Sequence, residues 1–337
     1  MSVLISRYVP GLAPMSKDTL FDLPKIESTT HDVYIGKQGE SEFNMFAYIH
    51  HDGEKFLALW GSHPTNVEGA PGQRAMWATS QDAKTWNYQG YIGQDVYPSF
   101  WDPKGFWERD GELIVLLLKD GSGASKQLVG FVQDDSGEWL EKYEIFGSAL
   151  ATYPPIKHPD GDWMIPLRDA DGIYINKGDV GGWRRIDVPG NGQQLIEPAL
   201  VVGKQGRIMV SCRNQSGTHL ARSVGFGEEF PALSETNLPD CQSKHQCIPV
   251  SPGLYCLCSN INNPNDRTKI HLSFSEDGYS FNQSWLLRDD PSEIRYGGSS
   301  VRLGFQYPNL TVVGDKIYAI YSENKEDIKV SIVNVSV

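Results

Sequence analysis

Apolar residues alternate with polar ones in short runs along this chain, and the runs come in pairs joined by tight turns. Asn44 to His50 and Lys55 to Trp60 flank the turn His51-Asp52-Gly53-Glu54. Asp-Gly between two alternating runs predicts a β-hairpin. The same unit returns as Gly105–Asp110/Gly111–Leu118, Tyr153–Asp160/Gly161–Arg168 and Glu197–Gln205/Gly206–Arg213. It returns again as Cys247–Pro252/Gly253–Cys258 and Tyr307–Gly314/Asp315–Tyr321, which makes six hairpins. After most of them a second motif follows: a polar turn with an Asp and, a few residues on, a large aromatic. Ser80-Gln81-Asp82-Ala83-Lys84-Thr85-Trp86 and Ser275-Glu276-Asp277-Gly278-Tyr279-Ser280-Phe281 are its fullest copies. Asp134 with Trp139 and Asp179 with Trp183 keep the pair, and Ser223 to Phe230 is a longer echo. The Asp side chain of such a turn bonds the turn's own N–H groups, and the aromatic fills the gap between two sheets.

The motif aromatics fall at 86, 139, 183, 230 and 281, roughly 45–50 residues apart, the span of one four-stranded propeller blade. The fold expected is all-β, a single β-propeller over residues 1–337 with six blades. Seven would follow if residues 1–40 held a degenerate one. The last hairpin is followed by one strand only, Ile328 to Val337. An open ring would leave unpaired edges, so the strand expected at 31–36 closes the last blade, with residues 1–30 as a wrapping arm.

Composition narrows the function. The chain has 337 residues, net charge −12 and pI near 5.1, which disfavours a general nucleic-acid-binding surface. No apolar run approaches the ~18–20 residues of a membrane-spanning helix, so no membrane partner is expected. The first residues, Met1-Ser2-Val3-Leu4-Ile5-Ser6-Arg7, lack a signal-peptide pattern. As written, the chain reads as cytoplasmic, or as secreted if a leader had been removed. Cys212, Cys241, Cys247, Cys256 and Cys258 fit no common zinc spacing and read as reduced core thiols, a Cys241–Cys247 staple being the alternative. No cofactor is implied, and a structural metal ion is left open.

Hairpin geometry sorts candidate chemistry. In a propeller the first two strands of each blade line the central channel, and the tight turns lie at the end opposite the pocket. His50, His51 and His158 sit at turns and belong to the far face. The pocket end receives Trp60 and His63, then Trp101, Asp102 and Lys119, then Tyr153 and Arg168. Later blades add Glu197, Arg213, Lys244, Ser259, Asn260, Gln306, Tyr307, Ser322, Glu323 and Asn324. Cations and aromatics concentrated there on an acidic chain suit a sugar acid, because Arg forks grip carboxylates and aromatic faces stack on pyranose rings.

The Asp-motif turns resemble those of the sialidase superfamily of propeller enzymes. So do Glu197-Pro198-Ala199-Leu200…Arg213-Asn214, Gln306-Tyr307-Pro308-Asn309-Leu310…Tyr321 and Pro71-Gly72-Gln73-Arg74. The resemblance spans roughly residues 40 to 337. It implies a carbohydrate-active enzyme. In true sialidases a Tyr paired with a Glu is the nucleophile and three Arg hold the substrate carboxylate. Tyr307, Glu197 and Arg213 occupy matching places in their blades. The Arg-Ile-Pro motif that carries the first Arg is absent, and a third is not fixed, Arg295 and Arg302 being candidates. A second resemblance is to propeller polysaccharide lyases, through Thr152-Tyr153-Pro154…Arg168-Asp169. Trp60-Gly61-Ser62-His63 and Gly72-Gln73-Arg74 look like the propeller enzymes that remove terminal L-rhamnose from glucuronic acid.

Three readings result. The first is cleavage of a terminal sugar linked to a uronic acid, such as L-rhamnose-α-1,4-D-glucuronate, by β-elimination or hydrolysis. In it Arg168 or Arg213 neutralises the carboxylate, His63 is the base, and Tyr153 or Tyr307 is the acid. The second is a sialidase-type retaining exo-glycosidase using Tyr307 and Glu197. The third is a non-catalytic propeller that binds acidic glycans. Lys244, Trp60, Lys119, Gln306 and Asn324 join Arg213 as expected substrate contacts, and the partner expected is an acidic oligosaccharide.

Overall fold

Each predicted hairpin forms the inner half of an antiparallel sheet in the computed structural model. The structure describes residues 3–4, 23–93, 100–120, 126–147, 150–190, 192, 194–215, 219–260, 265–281 and 283–336. Blade I is Phe43–His51, Phe56–His63, Arg74–Ser80 and Asn87–Ile92. Blade II is Phe100–Arg109, Glu112–Asp120, Lys126–Gln133 and Trp139–Gly147. Blade III opens with an interrupted inner strand, Leu150–Ala151 and Ile156–Lys157, followed by Trp163–Arg168, Ile173–Gly178 and Arg184–Val188. Blade IV is Leu195–Val202, Ile208–Asn214, His219–Gly225 and Ser234–Pro239. Blade V is Gln246–Ser251, Leu254–Ser259, Ile270–Ser275 and Gln283–Arg288. Blade VI is Phe305–Val313, Lys316–Glu323 and Asp327–Ser336, completed by Ser28–Tyr34. No α-helix occurs among the described residues, and the fold is a six-bladed β-propeller.

The ring closes as expected but with a shifted strand. The closing strand is Ser28–Tyr34, paired antiparallel from Ser28 against Val333 to Tyr34 against Ile328, rather than 31–36. Its first half, Ser28-Thr29-Thr30, is polar and lies at a solvent-facing edge, so apolar periodicity gives no sign of it. Residues 5–22, most of the expected wrapping arm, lie outside the described residues. Its end runs beside the outer strand of blade V: Ile26 is buried, and its N–H donates to the Leu286 carbonyl at 2.9 Å.

The seams between blades hold the core, and the Asp-motif aromatics sit in them. Trp86 packs in the seam of blades VI and I, Trp183 in that of II and III, Phe230 in III and IV, and Phe281 in IV and V. Each therefore leans on the blade before its own. The turns behave as the sequence predicts: Asp82 accepts the N–H groups of Lys84 and Thr85 at 2.9 and 3.0 Å. Asp277 accepts those of Tyr279 and Ser280 at 2.8 Å each. All five cysteines are free and buried.

Candidate active site

The inner strands are not regular where they reach the channel mouth. Their pairing slips between Met45 and Tyr48, between Ile196 and Ala199, and between Gln306 and Asn309. At each slip a non-glycine residue takes a left-handed backbone: Phe46 at φ 59°, Glu197 at 54° and Tyr307 at 55°. Such conformations cost roughly 1–3 kcal/mol apiece and persist where a site requires them. Here the bulges aim three side chains into one pocket of about 240 Å³ in the channel mouth. The strand bonds lost are replaced from neighbouring blades, as where Asn309 Oδ1 accepts the Ile49 N–H at 2.9 Å.

Tyr307 and Glu197 meet across the channel. The Tyr307 hydroxyl donates to Glu197 Oε1 at 2.5 Å, and Arg213 Nη1 donates to Glu197 Oε2 at 3.0 Å. Burial pushes the Glu197 carboxyl up, but the Arg213 charge and the bonds from Tyr307 and Arg213 outweigh it, so its pKa lies below the ordinary value. Burial raises the Tyr307 hydroxyl well above its usual range, and the Glu197 charge adds to this. The resting pair is thus a neutral phenol hydrogen-bonded to a carboxylate.

Around the pair stand more cations than anions. Arg267 lies 5.5 Å over the Tyr307 ring and donates to the Gln242 carbonyl at 2.7 Å, without a carboxylate partner among the described residues. Its Nε and that of Arg213 are buried and meet no acceptor. Arg302 donates to Asn265; burial lowers its pKa, and the charges of Arg267 and Arg213 push it the same way. Lys325 donates to Glu68 at 2.6 Å, and Glu68 itself lines the pocket. Burial lowers the Lys325 ammonium too, with Arg267 and Arg302 adding to it. Four cations converge on two carboxylates, an arrangement suited to receiving an anion.

The other wall belongs to blades I to III and the start of blade V. Lys104 donates to Asp102 Oδ2 at 2.6 Å. Lys244, 2% exposed, donates to the Tyr48 hydroxyl at 2.7 Å and lies against the faces of Tyr48 and Tyr153. Burial drives its pKa well down, and Lys104 adds to this. Tyr153 spends its hydroxyl on the His245 carbonyl. Behind the pocket, burial raises Asp240 to about 6 and lowers His245 to about 4.

The structure brings together Tyr307, Glu197, Arg213, Lys244 and Arg168 from the residues singled out in the sequence, with Tyr153 beneath Lys244. It separates the others from them. His63 turns its ring nitrogens to the carbonyls of Thr65 and Pro71 and is not part of the pocket lining. Trp60 is fully buried in the blade VI–I seam, its Nε1–H donating to Asn44 Oδ1 at 3.1 Å. Lys119 lies over Trp101 in a separate groove. Gln306 donates to the carbonyls of Arg302 and Leu303, and Asn324 holds Ser292, Gly304 and Glu293, so both shape the loop that carries Arg302. Arg295 pairs with Glu326 and Asp327. Glu68 and Arg267 escaped the sequence reading. Both lie in loops that leave the second strand of a blade at its pocket end, and that position was the signal available.

No group of His, Cys, Asp and Glu able to hold a metal ion occurs among the described residues, and no helix there is long and apolar enough to cross a membrane. Over residues 54–320 the sequence matches the BNR repeat-like domain. No curated protein sequence matches it. Among solved structures the chain is similar to a sialidase at 15% identity and TM-score 0.65, covering 93% of this chain and 33% of that one. It is similar to a Hadza microbial sialidase at 15% identity and TM-score 0.70, covering 91% and 68%. It is also similar to a Penicillium chrysogenum α-L-arabinanase complexed with arabinobiose, at 12% identity and TM-score 0.64, covering 91% and 98%. At such identities the likeness concerns the fold.

Proposed function

The chain belongs to the BNR repeat-like domain family, and from that premise we propose that it is a retaining exo-glycosidase removing a terminal sugar acid. The observation that carries this reading is the Tyr307 hydroxyl, 2.5 Å from Glu197 Oε1, set among Arg213, Arg267 and Arg302. A substrate carboxylate next to the anomeric carbon would repel a carboxylate nucleophile. A neutral phenol avoids that, and a hydrogen-bonded carboxylate can take its proton as it attacks.

The roles follow from position. Arg213, Arg267 and Arg302 bind the substrate carboxylate, and Tyr307 Oη attacks the anomeric carbon while its proton passes to Glu197. The glycosidic C–O bond breaks, and Glu68 delivers a proton to the leaving oxygen. Glu68 is paired with Lys325 as a carboxylate until the substrate carboxylate draws that ammonium away, and it then takes up from solvent the proton it delivers. In the second half Glu68 takes a proton from water, the water oxygen displaces Tyr307, and Glu197 returns the proton. Net inversion twice gives retention. Cleavage at a uronate by elimination is the second reading, favoured by the Arg168 guanidinium in the pocket, and its base would have to come from outside the pocket if it is His63.

A panel of aryl glycosides, with and without a carboxylate beside the anomeric carbon, tests the proposal. Only the acidic glycosides should turn over, with retained anomeric configuration by NMR. Tyr307→Phe should lower kcat at least about 10³-fold. A product with a conjugated uronate absorbing in the ultraviolet, or full activity in Tyr307→Phe, would defeat it.

A further inference from the structure

The proposed chemistry uses one wall of the pocket and leaves the cations of the opposite wall without a task. Arg168 ends the second strand of blade III and lines the pocket, with no side-chain hydrogen bond or ion pair among the described residues. Lys244 is buried with no carboxylate partner among the described residues, meeting only the Tyr48 hydroxyl and the faces of Tyr48 and Tyr153, at 4.1 and 4.2 Å. Lys104 stands beside them, paired with Asp102 and 5.5 Å over the Phe46 ring. Three basic side chains thus share this wall with one carboxylate, Asp102, and Glu197 faces them across the pocket, already bonded to Tyr307 and Arg213.

Resting on the acidic-sugar reading, the geometry points to a second anion subsite formed by Arg168, Lys244 and Lys104, so that the terminal sugar carries two acidic groups. The second would be a carboxylate or a phosphate ester on the part of the sugar facing blades II and III.

The donors and acceptors on this wall favour an anion there over the hydroxylated tail of an ordinary sugar acid. A hydroxyl needs partners that both give and take protons. The two phenols on this wall have their hydrogens committed, Tyr48 to the Thr152 carbonyl at 2.6 Å and Tyr153 to the His245 carbonyl. What remains is mainly donor, the ammonium and guanidinium groups beside the single hydroxyl of Thr152, and the natural complement of such a set is an acceptor-only oxyanion. Asp102 Oδ1 is buried without a partner among the described residues and can take a neighbouring hydroxyl. A buried amine without a counter-ion is costly; ring faces recover part of that cost, and a ligand oxyanion would recover more. The pocket, about 240 Å³, is small enough for one sugar to reach both walls.

The test is isothermal titration with three inhibitors that share one ring. These are 2-deoxy-2,3-didehydro-N-acetylneuraminic acid, the same compound with its tail ending in a carboxylate, and the same compound phosphorylated on the tail. At least one doubly acidic compound should bind about tenfold or more tightly than the parent, and which one does so distinguishes carboxylate from phosphate. That advantage should shrink toward one in Arg168→Gln and in Lys104→Gln. Arg168 has no side-chain partner among the described residues, so its variant should fold, which circular dichroism and a thermal melt would show. If the parent binds and neither doubly acidic compound binds better, or if the advantage survives both variants, the second subsite is refuted while the acidic-sugar reading stands. If none of the three binds, the acidic-sugar reading fails and the second subsite falls with it.

Discussion

Removing the Asp277 carboxylate should weaken the fold more than removing the equivalent group of Asp82, although both turns use the same bonds. Asp277 is half-buried and its Oδ1 accepts three hydrogen bonds of 2.8 Å, from Tyr279 N–H, Ser280 N–H and the Ser275 hydroxyl. The turn also braces blade IV: the Asp277 carbonyl accepts the Lys204 N–H at 2.9 Å, and the Tyr279 hydroxyl donates to the Lys204 carbonyl at 2.5 Å. Gly203 fits against that ring so closely that a Cβ there would lie 2.3 Å from Tyr279 Cε1. In Asp277→Ala the two N–H groups lose their acceptor where water reaches them poorly. At about 1 kcal/mol or somewhat more per bond, the loss is roughly 2–3 kcal/mol. With an unfolding entropy of about 2.1 cal/mol/K per residue over 337 residues, Tm should fall by about 3–4 °C. Asp82 is exposed, so its freed N–H groups turn to solvent and its alanine variant should shift less. Urea unfolding followed by tryptophan fluorescence measures both, with turnover per folded molecule as the control. Equal shifts for the two variants, or no shift for Asp277→Ala, would refute the reasoning.

Stability should rise with pH between about 4 and 6.5. His245 and His271 are buried, and burial lowers their pKa values to about 4 and about 3, against about 6.5 in the unfolded chain. The unfolded state therefore binds more protons across that window, and stability present above pH 6.5 is lost as pH falls. Asp240 opposes this, because its folded pKa of about 6 exceeds an unfolded value near 3.9. Asp240→Asn should make the rise steeper by up to about 1.4 kcal/mol per pH unit between 4 and 6, and an unchanged slope in urea midpoints would contradict it. Gly304→Ala should weaken binding of a sugar-acid inhibitor, since φ is +93° and the new Cβ would lie 2.2 Å from the Arg267 carbonyl oxygen. An inhibition constant equal to wild type would show that Arg267 does not hold the acid. Glu68→Gln should slow poorly activated leaving groups by about 10²-fold or more while sparing good ones, and equal effects on both would remove Glu68 from the acid role.

The ring was legible because its signals are local. An Asp with an aromatic a few residues on needs no partner to be recognised, and each hairpin declares itself through alternation and a Gly-containing turn. The same locality explains the shortfalls. Trp60 lies at the pocket end of its strand, yet its side chain faces the blade VI–I seam, because along that strand it shares a face with Ala58 while Leu59 between them faces the other way. Glu197 and Tyr307 are legible because each opens an inner hairpin at its pocket end and matches the Tyr–Glu pair that the sialidase resemblance implies; the bulges that aim them inward are not visible in the sequence. Arg267 and Glu68 come from loops without periodicity, and only the ring's closure sets them beside Tyr307 and Lys325. His63 has the residue type a base requires, and nothing in the sequence reveals that the carbonyls of Thr65 and Pro71 occupy its nitrogens.

The central claim is that Tyr307 forms a covalent bond to the sugar. A 3-fluoro glycosyl fluoride of the best acidic substrate forms the glycosyl-enzyme faster than it is hydrolysed, so the adduct should accumulate. Digestion and mass spectrometry should then place one sugar on the peptide carrying Tyr307, and none on that peptide in Tyr307→Phe. An enzyme that turns over the acidic substrate but carries the adduct on Glu197, on another residue or nowhere would contradict the account.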